Sequence, residues 1–83
     1  MTASDVTKNA LDLLAEITEV EEVRSQPDLA LYDLQILDSM KLVQLIVAVE
    51  SRVGVEISPA DFERDLWSTP AQFVADLLRR SAL

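Results

Sequence analysis

The amino-acid sequence predicts an all-α fold, a bundle of four helices in which three are long and one is short. Three observations lead there. Apolar residues recur at spacings of three and four along most of the chain, the signature of helices with one buried face. One Gly and three Pro in 83 residues are too few for a series of tight hairpin turns. Helix-start signatures, Asp38-Ser39, Ser58-Pro59 and Thr69-Pro70, stand before each of the later helical stretches. The length suits one domain, residues 1–83, with a single core.

Composition excludes several kinds of chemistry. The chain has no Cys and no His, so it offers no disulfide, no thiolate nucleophile and neither of the commonest metal-binding and proton-transfer groups. Apolar residues make up 49% and charged residues 27%, which matches a folded soluble protein. Fifteen acidic residues against seven basic leave a net charge of −8, which repels nucleic acid and anionic lipid and favours basic protein partners. Met1-Thr2-Ala3-Ser4-Asp5 lacks the basic segment and apolar run of a secretion signal, and no apolar run approaches a membrane span. A cytoplasmic monomer is expected.

The first helix is predicted from about Ser4 to Val23. Val6, Ala10, Leu13, Leu14, Ile17 and Val20 form its apolar face, and Thr2 with Asp5, or Ser4 alone, caps its start. The acids Glu19, Glu21 and Glu22 oppose the dipole at its far end, so fraying into a loop is expected there. From Arg24 to Asp38 the pattern is irregular, and Pro27 disfavours helix at Gln26. Leu29, Leu31, Leu34, Ile36 and Leu37 should plug this loop onto the core, with a short helical turn around Tyr32 to Leu34.

The second helix, about Ser39 to Val53, opens on Asp38 and Ser39, whose side-chain oxygens can accept the free N–H groups of a first turn. Leu42, Leu45, Ile46, Val49 and Val53 share one stripe and supply the core face. Met40, Val43 and Val47 are left over as a second, narrower stripe. They are either an exposed docking strip for a partner or a second buried side of a central helix. Gly54 ends the helix, and Val55-Glu56-Ile57 alternates as an extended link. Ser58-Pro59-Ala60-Asp61 should start a short third helix over Pro59 to Arg64, with Phe62 turned inward and Asp65-Leu66-Trp67 packing over the core. The last helix has Thr69 as cap, Pro70 first, and Gln72 where a capping box needs it. Phe73, Val74, Leu77 and Leu78 form its buried face, and Arg79-Arg80 complement its dipole.

The one place where the pattern suggests chemistry is Ser39. A serine at a helix start has its hydroxyl near solvent and close to the positive end of the dipole, where a covalently attached phosphate would be favoured. Most Asp-Ser pairs at such positions are ordinary caps. The adjacent strip, the long loop before it and the acidic surface all strengthen the functional reading. Asp38 would repel a phosphate, so it is better placed to help an incoming enzyme position a metal or basic group.

The Asp38-Ser39-Met40 element, followed by Leu42-Val43-Gln44-Leu45-Ile46, resembles the acyl and peptidyl carrier proteins. Downstream, Val55-Glu56-Ile57-Ser58 and the run Asp61-Phe62-Glu63-Arg64-Asp65-Leu66-Trp67-Ser68-Thr69-Pro70 are similar to the D-alanyl carrier branch of Gram-positive bacteria. That branch is the small subunit of the D-alanine–poly(phosphoribitol) ligase system. The resemblance implies an acyl-carrier-protein-like four-helix bundle with 4′-phosphopantetheine, taken from coenzyme A, on the serine that matches Ser39. It also implies a non-catalytic role: a phosphopantetheinyl transferase adds the arm, and an adenylating ligase loads D-alanine on it as a thioester. A membrane or downstream acyltransferase then passes the group toward teichoic acids in cell-wall biogenesis. Met40 stands where Leu or Phe is common in the family, Gln35 where the loop often has Gly, and Lys41, Gln44 and Arg52 replace much of the acidity of fatty-acid carriers. Two alternatives remain open: an aminoacyl or acyl carrier of a secondary-metabolite pathway, and an unmodified acidic helical module that binds a basic protein.

Overall fold

Thr2 and Asp5 start the first helix, α1 (Ala3–Thr18), by a reciprocal cap. The Asp5 N–H donates to Thr2 Oγ1 at 3.1 Å, and the Thr2 N–H donates to the Asp5 carboxylate at 3.4 Å. The computed structural model describes residues 2–58 and 64–81, and among these it contains helices, turns and extended links but no strand. Two further α-helices follow, α2 (Ser39–Arg52) and α3 (Pro70–Ser81), with 3₁₀ turns at Glu21–Arg24 and Arg64–Trp67. The short helix expected over Pro59 to Arg64, with Phe62 inward, lies outside the described residues apart from Arg64, which opens the second 3₁₀ turn.

The apolar stripe of α1 is the floor of the core: Val6, Ala10, Leu13 and Leu14 are buried, and α1 packs against both α2 and α3. The helix ends at Thr18, five residues before the expected Val23. Two forces end it. Glu19, Glu21 and Glu22 would sit at the negative end of the dipole. The buried Thr18 hydroxyl also donates to the Leu14 carbonyl at 2.6 Å, and Glu19 turns into the left-handed region at φ 61°. The chain then forms the 3₁₀ turn instead of fraying. That turn buries Val23, while Arg24 reaches back to Asp12 and pairs with Glu21 at 2.8 Å.

The loop between α1 and α2 is anchored at both levels. Leu31 and Leu37 are fully buried, worth roughly 1.5–3 kcal/mol each. The Leu31 N–H donates to the Ser68 carbonyl at 3.0 Å, and the Ala71 N–H donates to the Pro27 carbonyl at 3.1 Å. The expected turn is present over 31–35, with Leu34 N–H donating to Ala30 O and Gln35 N–H to Tyr32 O. Leu34 does not plug the core as its neighbours do. With Leu31 drawn inward by Ser68, the turn presents Leu34 to solvent at 57% exposure.

Beyond α2, Gly54 takes φ 78° and its N–H reaches the Val49 carbonyl at 3.2 Å, closing the helix as expected. Val55 and Ile57 are buried and Glu56 exposed, matching the predicted alternation. Trp67 does pack over the core: it is fully buried and meets Phe73 edge-on, with ring centroids 4.6 Å apart. In α3, Phe73 and Leu77 are buried with Val74 and Leu78 half-buried beside them. Its cap is one-sided. Gln72 N–H donates to Thr69 Oγ1 at 3.2 Å, but the Gln72 side chain accepts from the Ser68 hydroxyl and does not return to the Thr69 backbone.

Candidate functional site

Asp38 is the N-cap of α2, with extended backbone at φ −130° and ψ −178°. Its Oδ1 accepts from the Lys41 N–H at 2.8 Å, and its carbonyl accepts from Leu42 N–H at 2.8 Å. Of the two residues that could have capped the helix, the longer acid side chain therefore takes the role. Ser39 becomes the first helical residue, exposed, and among the described residues its hydroxyl has no hydrogen-bond partner. Backbone N–H groups of the first turn and the dipole of fourteen aligned residues lie directly behind it.

The junction is held from the loop side by Leu31. Its carbonyl accepts from both Ile36 N–H at 2.8 Å and Leu37 N–H at 2.9 Å, and the Leu37 side chain is buried immediately before Asp38. Gln35 supplies the reversal by adopting φ 58°. Gly adopts this left-handed conformation without the Cβ penalty that Gln35 bears.

The second stripe of α2 is free. Met40 is 73% exposed, Val43 60% and Val47 62%, whereas Leu45 and Val49 on the opposite side are fully buried. These exposures rule out a second buried side of the helix at the strip: among the described residues α1 is the element that packs on two neighbouring helices, and α2 buries one face against it. Leu42, Ile46 and Val53 are half-buried at the edge of the core. Beside the strip runs a groove of about 460 Å³ between α1 and α2, lined by Leu13, Ile17, Val43, Val47 and Ala48. The Arg52–Glu16 ion pair, 3.1 Å, crosses between the same two helices.

Two features escaped the sequence reading. Leu34, the other large apolar residue exposed among the described residues, lies five positions before Ser39. Nothing in its spacing distinguishes it from Leu31; the tertiary bond to Ser68 decides which of the two turns inward. The second is Asp76, whose side chain is only 2% exposed. It accepts from Trp67 Nε1 at 2.8 Å, from Arg80 Nε at 2.8 Å and from Arg79 Nη2. Burial pushes its carboxyl up, but the hydrogen bonds from Arg80, Trp67 and Arg79 outweigh that and hold it below the usual carboxylate range. The two arginines thus do more than complement the dipole. An acid between Phe73 and Leu77 on the buried face was the available signal.

Residues 10–77 match the family model described as the phosphopantetheine attachment site, a span that contains Asp38, Ser39 and all of α2. The chain is 40% identical over 70 residues to the D-alanyl carrier protein of Listeria innocua, covering 84% of this chain and 90% of that one. It is 41% identical over 75 residues to D-alanyl carrier protein 1 of Lactiplantibacillus plantarum, covering 90% and 92%. With the D-alanyl carrier protein of Enterococcus faecalis the identity is 34% over 70 residues, covering 84% and 90%.

Proposed function

The chain belongs to the phosphopantetheine attachment-site family of carrier proteins, and from that premise we propose that Ser39 bears its 4′-phosphopantetheine arm and that the cargo is D-alanine. A carrier of this family is a non-catalytic subunit, and the absence of Cys and His from the chain is consistent with a thiol that comes from the arm. When attached, the arm supplies that thiol to hold an acyl group as a thioester.

The observation that carries the assignment of Ser39 is its hydroxyl, exposed and without a partner among the described residues, at the first position of α2. The residues around it fit a phosphodiester. First-turn N–H groups and the dipole favour the negative charge, and no core side chain needs to move to admit it. Asp38 spends one carboxylate oxygen on the Lys41 N–H and leaves the other to solvent-side groups, where it can position a metal or basic side chain of the incoming transferase. Met40, Val43 and Val47 form the apolar strip on which that transferase, the D-alanine-adenylating ligase and the downstream acyltransferase dock. The strip suits successive partners because it is exposed, lies on the same helix as the arm and is not required for the core.

The reading extends to a single carrier domain over 1–83, a cytoplasmic monomer that delivers D-alanine for teichoic acid D-alanylation. Among the described residues no helix is long and apolar enough to cross a membrane. Intact mass after incubation with a phosphopantetheinyl transferase and coenzyme A tests the attachment residue. A gain of one arm in the wild type and none in Ser39→Ala is expected; a gain that persists in the variant overturns the assignment. No gain in the wild type favours the unmodified binding module. Challenging the holo form with adenylating enzymes and different amino acids tests the cargo, and preferential loading of anything but D-alanine favours the secondary-metabolite alternative.

A further inference from the structure

We propose that Asp76 is a positioning residue for the Ser39 junction, acting through Trp67, Ser68 and Leu31. The functional half of this proposal rests on Ser39 as the attachment residue; the structural half stands on the geometry alone.

Among the described residues, the loop that delivers Asp38 and Ser39 makes two backbone hydrogen bonds to the segment that begins α3: Leu31 N–H to Ser68 O, and Ala71 N–H to Pro27 O. Ala71 is already fixed as part of α3. Ser68 lies outside the helix; its hydroxyl donates to the exposed Gln72 side chain, and on the buried side it follows Trp67. Trp67 is fully buried and its Nε1–H donates to Asp76 Oδ2 at 2.8 Å, across nine residues of chain. Asp76 is in turn held by Arg80 and Arg79, so its orientation is set by α3 itself. From Ser68 the order passes to Leu31, whose N–H is bound to Ser68 and whose carbonyl binds the N–H groups of Ile36 and Leu37. The next residue is the cap, Asp38. The path from Asp76 to Ser39 is therefore continuous through bonded groups, each with a buried side chain (Trp67, Leu31, Leu37) at the turning points.

A carboxylate is the group this position requires. A neutral acceptor would satisfy the indole alone, whereas Asp76 must accept from one indole and two guanidinium groups at once. Without the carboxylate, the buried indole N–H loses its 2.8 Å bond to α3, one of the contacts that set where Trp67 and then Ser68 lie.

The test compares wild type, Trp67→Phe and Asp76→Ala, which removes every acceptor at the position, by amide hydrogen exchange, with Leu31, Ile36 and Leu37 as the junction amides and Leu14 and Leu45 as the core reference. Trp67→Phe keeps an aromatic ring but removes the donor together with part of the buried ring volume, whereas Asp76→Ala leaves the indole in place. The expected result in both variants is roughly 10-fold or more faster exchange at the three junction amides, from loss of a buried charge-assisted bond. The core amides should change by about 2-fold at most, as expected of sites outside the network. Alongside this, kcat/KM for arm transfer from coenzyme A should fall several-fold with KM for coenzyme A unchanged. Equal acceleration at all five amides, including outright loss of the fold, overturns the proposal because Asp76 would then serve global stability only. So does faster exchange with arm transfer unaltered. If wild-type Ser39 accepts no arm, the attachment reading fails by itself, and the exchange pattern still decides whether the path from Asp76 exists.

Discussion

Gln35→Gly should raise the stability of this protein, although it removes a side chain. Gln35 sits at φ 58° in the turn before the Ser39 junction, and its side chain is exposed. For an L-residue the left-handed conformation costs roughly 1–2 kcal/mol through the contact of Cβ with the following carbonyl. Glycine removes that strain. Against it stands the greater freedom of glycine in the unfolded chain, roughly 0.4–1 kcal/mol. No packing is forfeited, and the bond from the residue 35 N–H to the Tyr32 carbonyl is a backbone bond that glycine retains. The difference leaves a net gain of about 0.5–1 kcal/mol, or about 2–8 °C in Tm for a domain of this size. Thermal denaturation followed by helical circular dichroism, with a urea titration at constant m to confirm two-state behaviour, measures it. Gln35→Val is the control, since a β-branched residue is still less tolerant of positive φ and should lower Tm. A Gln35→Gly variant with unchanged or lower Tm would refute the reasoning.

Three further outcomes follow from the same geometry. Val43→Asp and Val47→Asp should keep helix content and stay within about 0.5 kcal/mol of wild-type stability, because both positions are exposed, yet reduce loading by the adenylating ligase; loss of the folded state would show that they serve the core. Asp38→Ala should lose the cap and about 1 kcal/mol of stability by urea denaturation, and should accept the arm more slowly in a mass-based time course. A variant that folds and is modified at the normal rate would remove Asp38 from the transfer. Asp76 makes stability acid-sensitive: its folded pKa lies below the unfolded value of about 3.9, so its contribution is complete above that value and is lost as pH falls through the folded pKa. Urea midpoints across this acid range should fall more steeply for wild type than for Asp76→Asn.

Much of the fold is readable along the chain because it is local. The faces of α1, α2 and α3, the Thr2–Asp5 cap, the Gly54 stop and the alternation at Val55-Glu56-Ile57 each depend on residues a few positions apart. The α1 helix ends before the periodicity does, because the apolar stripe runs on through Val20 although the electrostatics turn against the helix at Glu19. Ser39 was legible as a candidate because a helix start is a local event. The Met40, Val43 and Val47 stripe was legible as a stripe, but whether it is covered depends on how many neighbours α2 has.

The sequence by itself determined the helical class, the placement of Ser39 at the head of an apolar helix and the absence of any Cys or His chemistry, since these follow from composition and spacing. Tertiary structure alone decided the rest. It sent Leu31 inward and Leu34 outward, and made Asp76 the buried acceptor of Trp67 and two arginines. The reason is range. Periodicity registers contacts within a turn or two, whereas the bonds that hold the Ser39 junction join Leu31 to Ser68 and Pro27 to Ala71, across distances in sequence that no local pattern encodes.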